Sequence, residues 1–165
     1  MVQGLVGTKA WAPWIGHGSF LTVEFGEPHE EAVPAWGGHP ARTRYRGDWT
    51  LWVYCCMWRV DGPDFIAAAS EDDRVQMEVG AWMLDGRTVT SLAVRSPGLD
   101  LAVEFNGGLV LRTFAIYSRE HAYEDSTTFP EHWYLWTPGG RVIEAGPGSS
   151  WAFGDERRDK AAEQG

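Results

Sequence analysis

A mainly β domain is what this sequence predicts, and three observations carry that expectation. Ten tryptophans, 20 glycines and 9 prolines in 165 residues supply aromatics that suit pleated surfaces and the punctuation that tight turns need. Segments such as Leu21-Thr22-Val23-Glu24-Phe25 and Leu101-Ala102-Val103-Glu104-Phe105 alternate large apolar residues with polar or small ones, the period of a half-buried strand. These two segments also hold matching places in a frame that occurs twice. The expected architecture is an antiparallel β-sandwich or closed barrel of about ten strands, built from two pseudo-symmetric repeats with one short linking helix.

The frame is Leu-x-Gly, then about a dozen residues, then Leu-x-Val-Glu-Phe and a turn residue. Repeat one, residues 5–70, opens at Leu5-Val6-Gly7 and reaches Phe25-Gly26; repeat two, residues 84–151, opens at Leu84-Asp85-Gly86 and reaches Phe105-Asn106-Gly107. Asn106-Gly107 is a hairpin signal, and Leu109–Ile116 returns from it. The corresponding strand of repeat one, Trp49–Cys56, is delayed by an insertion, Glu27–Gly47. Each repeat closes with a Trp-x-(Val/Leu) strand and a turn: Trp58-Arg59-Val60 before Asp61-Gly62-Pro63, and Trp133-Tyr134-Leu135 before Pro138-Gly139-Gly140. Residues 1–154 are thus expected to form one β domain, followed by a polar tail at 155–165.

Between the repeats, Ser70-Glu71-Asp72-Asp73 has the composition of a helix start. Val75, Val79 and Trp82 or Met83 fall near i, i+4 and i+7/8, so 71–83 reads as a short amphipathic helix. Alternation within the same stretch and the helix-weakening Gly80 keep a strand reading open. The insertion carries three prolines, several glycines and two histidines and reads as a long irregular loop, a kind of segment that often serves function.

Composition narrows the chemistry. The formal net charge is −9, which repels phosphate backbones and disfavours nucleic-acid binding. No run is long and apolar enough for a membrane helix, and Met1–Leu5 lacks the charged start of a signal peptide. Cys55 and Cys56 are adjacent and would point to opposite faces of a strand, so a disulfide between them is geometrically poor and a reduced, cytoplasmic setting is expected. His17, His29, His39, His121 and His132 show no zinc-type spacing, so no metal or cofactor is expected. Phosphate-loop, dinucleotide, nucleophile-elbow and zinc-protease motifs are missing as well.

Two sets of candidate site residues follow. Trp11, Trp14 and Trp36 lie in or beside loops, where exposed aromatics mark binding surfaces, and Glu30 and Glu31 lie in the insertion. Together they form the expected contact surface for a protein partner, plausibly basic, with a homodimer as a further option. The alternative is a β-barrel that binds or transforms a small molecule in an internal cavity lined by Glu24, Tyr54, Trp58, Arg59, Glu104 and His132. Core or cross-strand packing is the commoner role of such tryptophans, and a solvated face that of such glutamates.

The run Leu51-Trp52-Val53-Tyr54-Cys55-Cys56-Met57-Trp58-Arg59-Val60 resembles a group of small actinobacterial two-repeat β proteins with a Cys-x-Trp-Arg strand. The second half is similar to the same group at Leu84-x-Gly86, Pro97-x-Leu99-Asp100-Leu101, Phe105-Asn106-Gly107, Trp133 and Gly146-Pro147-Gly148. These are turn and core residues. The resemblance therefore implies a shared fold and transfers no catalytic residue. Small proteins of this kind are often suspected to be immunity proteins of bacterial toxin systems, which implies a toxin domain as partner.

Overall fold

The alternating segments become strands that bury alternate residues. In the computed structural model, which describes residues 2–35, 37–118 and 131–155, Leu21, Val23 and Phe25 are fully buried while Thr22 and Glu24 stay half-exposed. Leu101, Val103 and Phe105 are buried in the same way while Glu104 is exposed.

The described residues form thirteen strands and one α-helix. One antiparallel sheet has the order β1 (Ala10–Ile15), β2 (Leu21–Phe25), β5 (Trp49–Val53), β11 (Trp133–Thr137), β12 (Arg141–Ala145) and β13 (Trp151–Asp155). The other runs β7 (Ile66–Ala69), β6 (Met57–Asp61), β10 (Val110–Phe114), β9 (Asp100–Phe105) and β8 (Val89–Arg95). A separate hairpin joins β3 (His29–Val33) to β4 (Arg42–Arg46). Helix α1 spans Arg74–Trp82. Both main sheets have free ends, so the molecule is sandwich-like and the closed-barrel alternative falls.

The six-stranded sheet takes three strands from each half of the chain, β1-β2-β5 beside β11-β12-β13, and the five-stranded sheet takes three from the second half and two from the first, β8-β9-β10 beside β6-β7. Phe25 and Phe105 meet in the core with ring centroids 6.4 Å apart and nearly parallel planes. The two Leu-x-Gly openings run side by side: Gly7 N–H donates to Val89 O, and Gly86 N–H to Ala10 O, both at 2.8 Å. Gly7 and Gly86 have φ values of 90° and 73°, which a residue with a Cβ adopts only under strain. Leu5 and Leu84, two residues before each glycine, are fully buried. Burying such a side chain stabilises the fold by roughly 1.5–3 kcal/mol.

The insertion is not an irregular loop. Its prolines, Pro28, Pro34 and Pro40, fall just outside β3 and β4 and leave ten residues free to pair. Asp48 ties the base of this arm, accepting Glu27 N–H at 2.9 Å and lying 2.7 Å from His29 Nε2. Those hydrogen bonds hold its carboxyl below the ordinary range.

Helix α1 begins where the acidic cluster ends. Asp73 is the N-cap, and its Oδ1 accepts from Gln76 N–H at 3.0 Å. The helix packs on β7 and β1, the two edge strands on one side of the sandwich. It does so through Met77, Gly80 and Ala81, while Val75, Val79 and Trp82 face outward. The large apolar residues of a surface helix ordinarily face the core, and here they face outward. Contact runs through the smallest residues because a Cβ at position 80 would lie 2.2 Å from Ala68 Cβ, an approach that only glycine permits.

Candidate functional site

The structure disperses the first set of candidates. Trp11 and Trp14 share the outer face of the six-stranded sheet, because a bulge between them restores the phase broken by Ala12 and Pro13. Trp11 is half-buried and donates from Nε1 to Gly26 O at 2.9 Å, beside the base of the arm. Trp14 stands further along β1, 64% exposed, with its indole over Gly16. Trp36 lies outside the described residues. Glu30 and Glu31 sit on the arm and are already partnered: Tyr45 Oη donates to Glu30 at 3.1 Å, and Arg44 Nε lies 2.5 Å from Glu31. With Arg42, Arg44 and Arg46 aligned on β4, the arm is charge-balanced, and it offers no acidic face.

The cavity set is dispersed as well. Trp58 is buried, with Nε1 donating to Ser19 O at 2.6 Å. Glu24 lies in the outer-face phase of the six-stranded sheet and accepts from Gly47 N–H and Thr50 Oγ1. Tyr54 follows the same phase just beyond β5 and packs 4.6 Å from Trp52. Arg59 and Glu104 occupy the outer face of the other sheet, so the two equivalent glutamates face away from each other. His132 is enclosed, as Trp58 is. Both its ring nitrogens are buried without a hydrogen-bond partner among the described residues, and Tyr117 stacks on it at 6.3 Å. Burial lowers the His132 pKa, opposed by Asp100 and Glu131.

Burial disfavours the thiolate form of both cysteines. Cys55 is half-buried and its thiol is pushed up to about 11, chiefly by burial. Cys56 is buried and raised further, and its Sγ donates to His132 O at 3.2 Å. Among the described residues no group of His, Cys, Asp or Glu is placed to hold a metal ion. A groove between the β6–β7 and β9–β10 turns is lined by Asp61, Asp64, Phe65, Ile66, Gly108 and Arg112. Its carboxylate is occupied: burial raises the Asp61 pKa, but the guanidinium groups of Arg59 and Arg112 outweigh that and hold it below the usual range.

What the structure does present is an outward apolar stripe on α1: Val75 is 69% exposed and Val79 and Trp82 each 57%, at i, i+4 and i+7 of the helix. Trp14 and Ile66 are exposed as well, but on the outer faces of the two different sheets. Around this surface lie the exposed acids Glu71, Asp72, Asp73, Glu78 and Asp85. Arg74, the cation within that segment, is turned away, bonded to Glu78 and to the carbonyls of Ile15 and Gly16. Large apolar residues gathered in this way mark interaction surfaces, whereas single exposed ones are ordinary.

No family model, curated protein or solved structure matches the chain. No helix among the described residues is long and apolar enough to cross a membrane.

Proposed function

We propose that this protein is a protein-binding module that docks on a basic partner through the β7–α1–β1 side and neutralises it, as an immunity protein does its toxin. The observation that carries the reading is the outward stripe Val75, Val79 and Trp82, exposed on a helix whose other face is well packed. Trp82 supplies an aromatic anchor of the kind that dominates interface energetics once desolvated. The acidic rim and the net charge of −9 favour a basic partner, and they act on encounter rate and specificity more than on affinity. The resemblance to the actinobacterial two-repeat group supports the same class of partner.

The test is native mass spectrometry on tagged protein purified gently from its own host. Wild type should carry a second, basic protein in stoichiometric amount. A Val79→Asp/Trp82→Asp variant should lose it, while Glu30→Lys/Glu31→Lys on the arm retains it. The helix pair changes exposed side chains and should alter stability by only about 0.5 kcal/mol per residue, while the arm pair also removes the Arg44 and Tyr45 contacts, so folding of each variant is checked by circular dichroism. Retention of the partner by the helix variant would overturn the assignment of the face. A bare monomer or homodimer in wild type would overturn the function.

A further inference from the structure

Unpaired strand edges are templates for another chain, and specific bonds cover two of the four ends of the main sheets. β1 is met along its outer side by Asp85, which accepts Ala12 N–H at 3.0 Å, and by Arg74, which donates to Ile15 O. Ala10 completes that row, donating to Arg87 O and accepting from Gly86 N–H. β7 is met by α1 and the residues before it: Gln76 Nε2 donates to Ala67 O at 2.6 Å, and Asp72 accepts Ala69 N–H at 2.8 Å.

The other two ends have no such cover among the described residues, and they differ in character. β13 contains Gly154 and runs into the charged sequence Asp155-Glu156-Arg157-Arg158-Asp159-Lys160, a combination that weakens a strand and discourages pairing. β8 is the longest described strand, seven residues, and Val89-Thr90-Ser91-Leu92-Ala93-Val94 is uncharged and rich in β-branched residues. Val89 bonds outward to Gly7 and Thr8, but from Thr90 to Arg95 no hydrogen bond reaches the outer side of β8 among the described residues. Val94 shares the inner face with Leu92 and with Leu101 across the strand pair, and it is still 41% exposed. A strand added beside β8 would cover it.

We propose that β8 is a dimerisation edge, pairing antiparallel with β8 of a second copy about a twofold axis at Ala93. In that register Leu92 of one copy faces Val94 of the other on the inner side, an apolar pair formed twice. On the outer side Ala93 faces its counterpart and Ser91 faces Arg95. With the neighbours on β9, the outer row reads Asp100–Arg95–Ser91–Glu104, the last two from the second copy, so no like charges are opposed. Centring the axis on Leu92 would bring Arg95 to Val89, whose outer side Gly7 and Thr8 already occupy. Centring it on Val94 would carry Leu92 and Ser91 past the end of the partner strand. β8 lies at the opposite end of its sheet from β7, on which α1 packs, so the dimer leaves the α1 stripe free for one partner per copy.

The test is sedimentation velocity on the full-length protein over a concentration series, joined to cross-linking. Wild type should pass from monomer to dimer as its concentration rises. Val94→Lys puts a charge on the inner side of the edge and should weaken dimerisation by about tenfold or more. Ala93→Cys sets two thiols opposite each other with Cα atoms about 4.5–5.5 Å apart, a separation that a disulfide spans, so mild oxidation should link the copies. Thr90→Cys, far from the axis, should not link, and neither should wild type. The cross-link serves alone if Val94→Lys does not fold. Val79→Asp/Trp82→Asp should dimerise as wild type does, so this edge and the docking stripe can fail separately. A wild type that stays monomeric throughout, a dimer that Val94→Lys leaves intact, a dimer lost with the helix stripe, or linkage at position 90 and not at 93 would overturn the proposal.

Discussion

His132 carries the clearest consequence at the scale of single residues. A histidine in an unfolded chain takes up its proton near pH 6.5. In the folded protein His132 is buried with neither ring nitrogen bonded among the described residues, and burial lowers its pKa below that value. Below pH 6.5 the unfolded chain therefore binds more protons at this residue than the folded one, so stability falls as the pH falls from about 6.5 toward the folded pKa. Asp48 and Asp61 act in a lower window. Their folded pKa values lie below 3.8, so the stability they add above 3.8 is lost as the pH falls below it. Urea unfolding followed from pH 7 to pH 3 should show both limbs, and His132→Leu should flatten only the upper one. An unchanged slope between pH 6.5 and 5 in that variant would mean that His132 is hydrated or paired when folded.

At the scale of elements, Gly80 sets two rules against each other. Alanine in a helix interior is favoured over glycine by about 1 kcal/mol, so propensity alone predicts that Gly80→Ala stabilises α1. A Cβ there would lie 2.2 Å from Ala68 Cβ and 2.9 Å from Ala67 O, however, and overpacking of this kind costs typically 1–3 kcal/mol. The net effect should be a lower melting temperature, with α1 displaced from β7. A higher one would show that the helix sits further out. The same helix marks how far the sequence could be read. Its spacing was legible because Val75, Val79 and Trp82 recur at helical intervals, but its start was placed three residues early: the acids read as first-turn residues precede the helix, and the last of them, Asp73, is its cap. Its orientation was not legible. Hydrophobicity ranks residues by what they gain from burial, whereas this contact is fixed by how closely two backbones approach, a property that glycine and alanine carry silently. The arm escaped for a similar reason: proline density in 27–47 signalled an irregular loop, while the placement of those prolines outside the strands spared the ladder. Strands β2 and β9 were legible in full because alternation and burial coincide there. The choice between sandwich and barrel was not, since inward residues alternate alike in both and only the free edges of β1, β13, β7 and β8 decide.

For the molecule as a whole, charge and apolar exposure act over different distances and should separate in kinetics. The charge of −9 acts over distances comparable with the Debye length, about 10 Å at 0.1 M salt and about 3 Å at 1 M. The Val75, Val79 and Trp82 stripe acts only at contact. Association with a basic partner should therefore slow steeply with salt, by about tenfold or more between 0.05 and 0.5 M, because steering is lost. Dissociation, governed by the desolvated apolar contact, should change little over the same range. Trp82→Ala should reverse the pattern, speeding dissociation while leaving the salt dependence of association intact. Stopped-flow mixing with the co-purified partner measures both rates directly. If association proved insensitive to salt, the acidic rim at Glu71, Asp72, Asp73 and Glu78 would serve solubility alone, and the partner need not be basic. If Trp82→Ala changed association and not dissociation, the helix would act before the complex forms, and the desolvated contact would lie elsewhere on the surface.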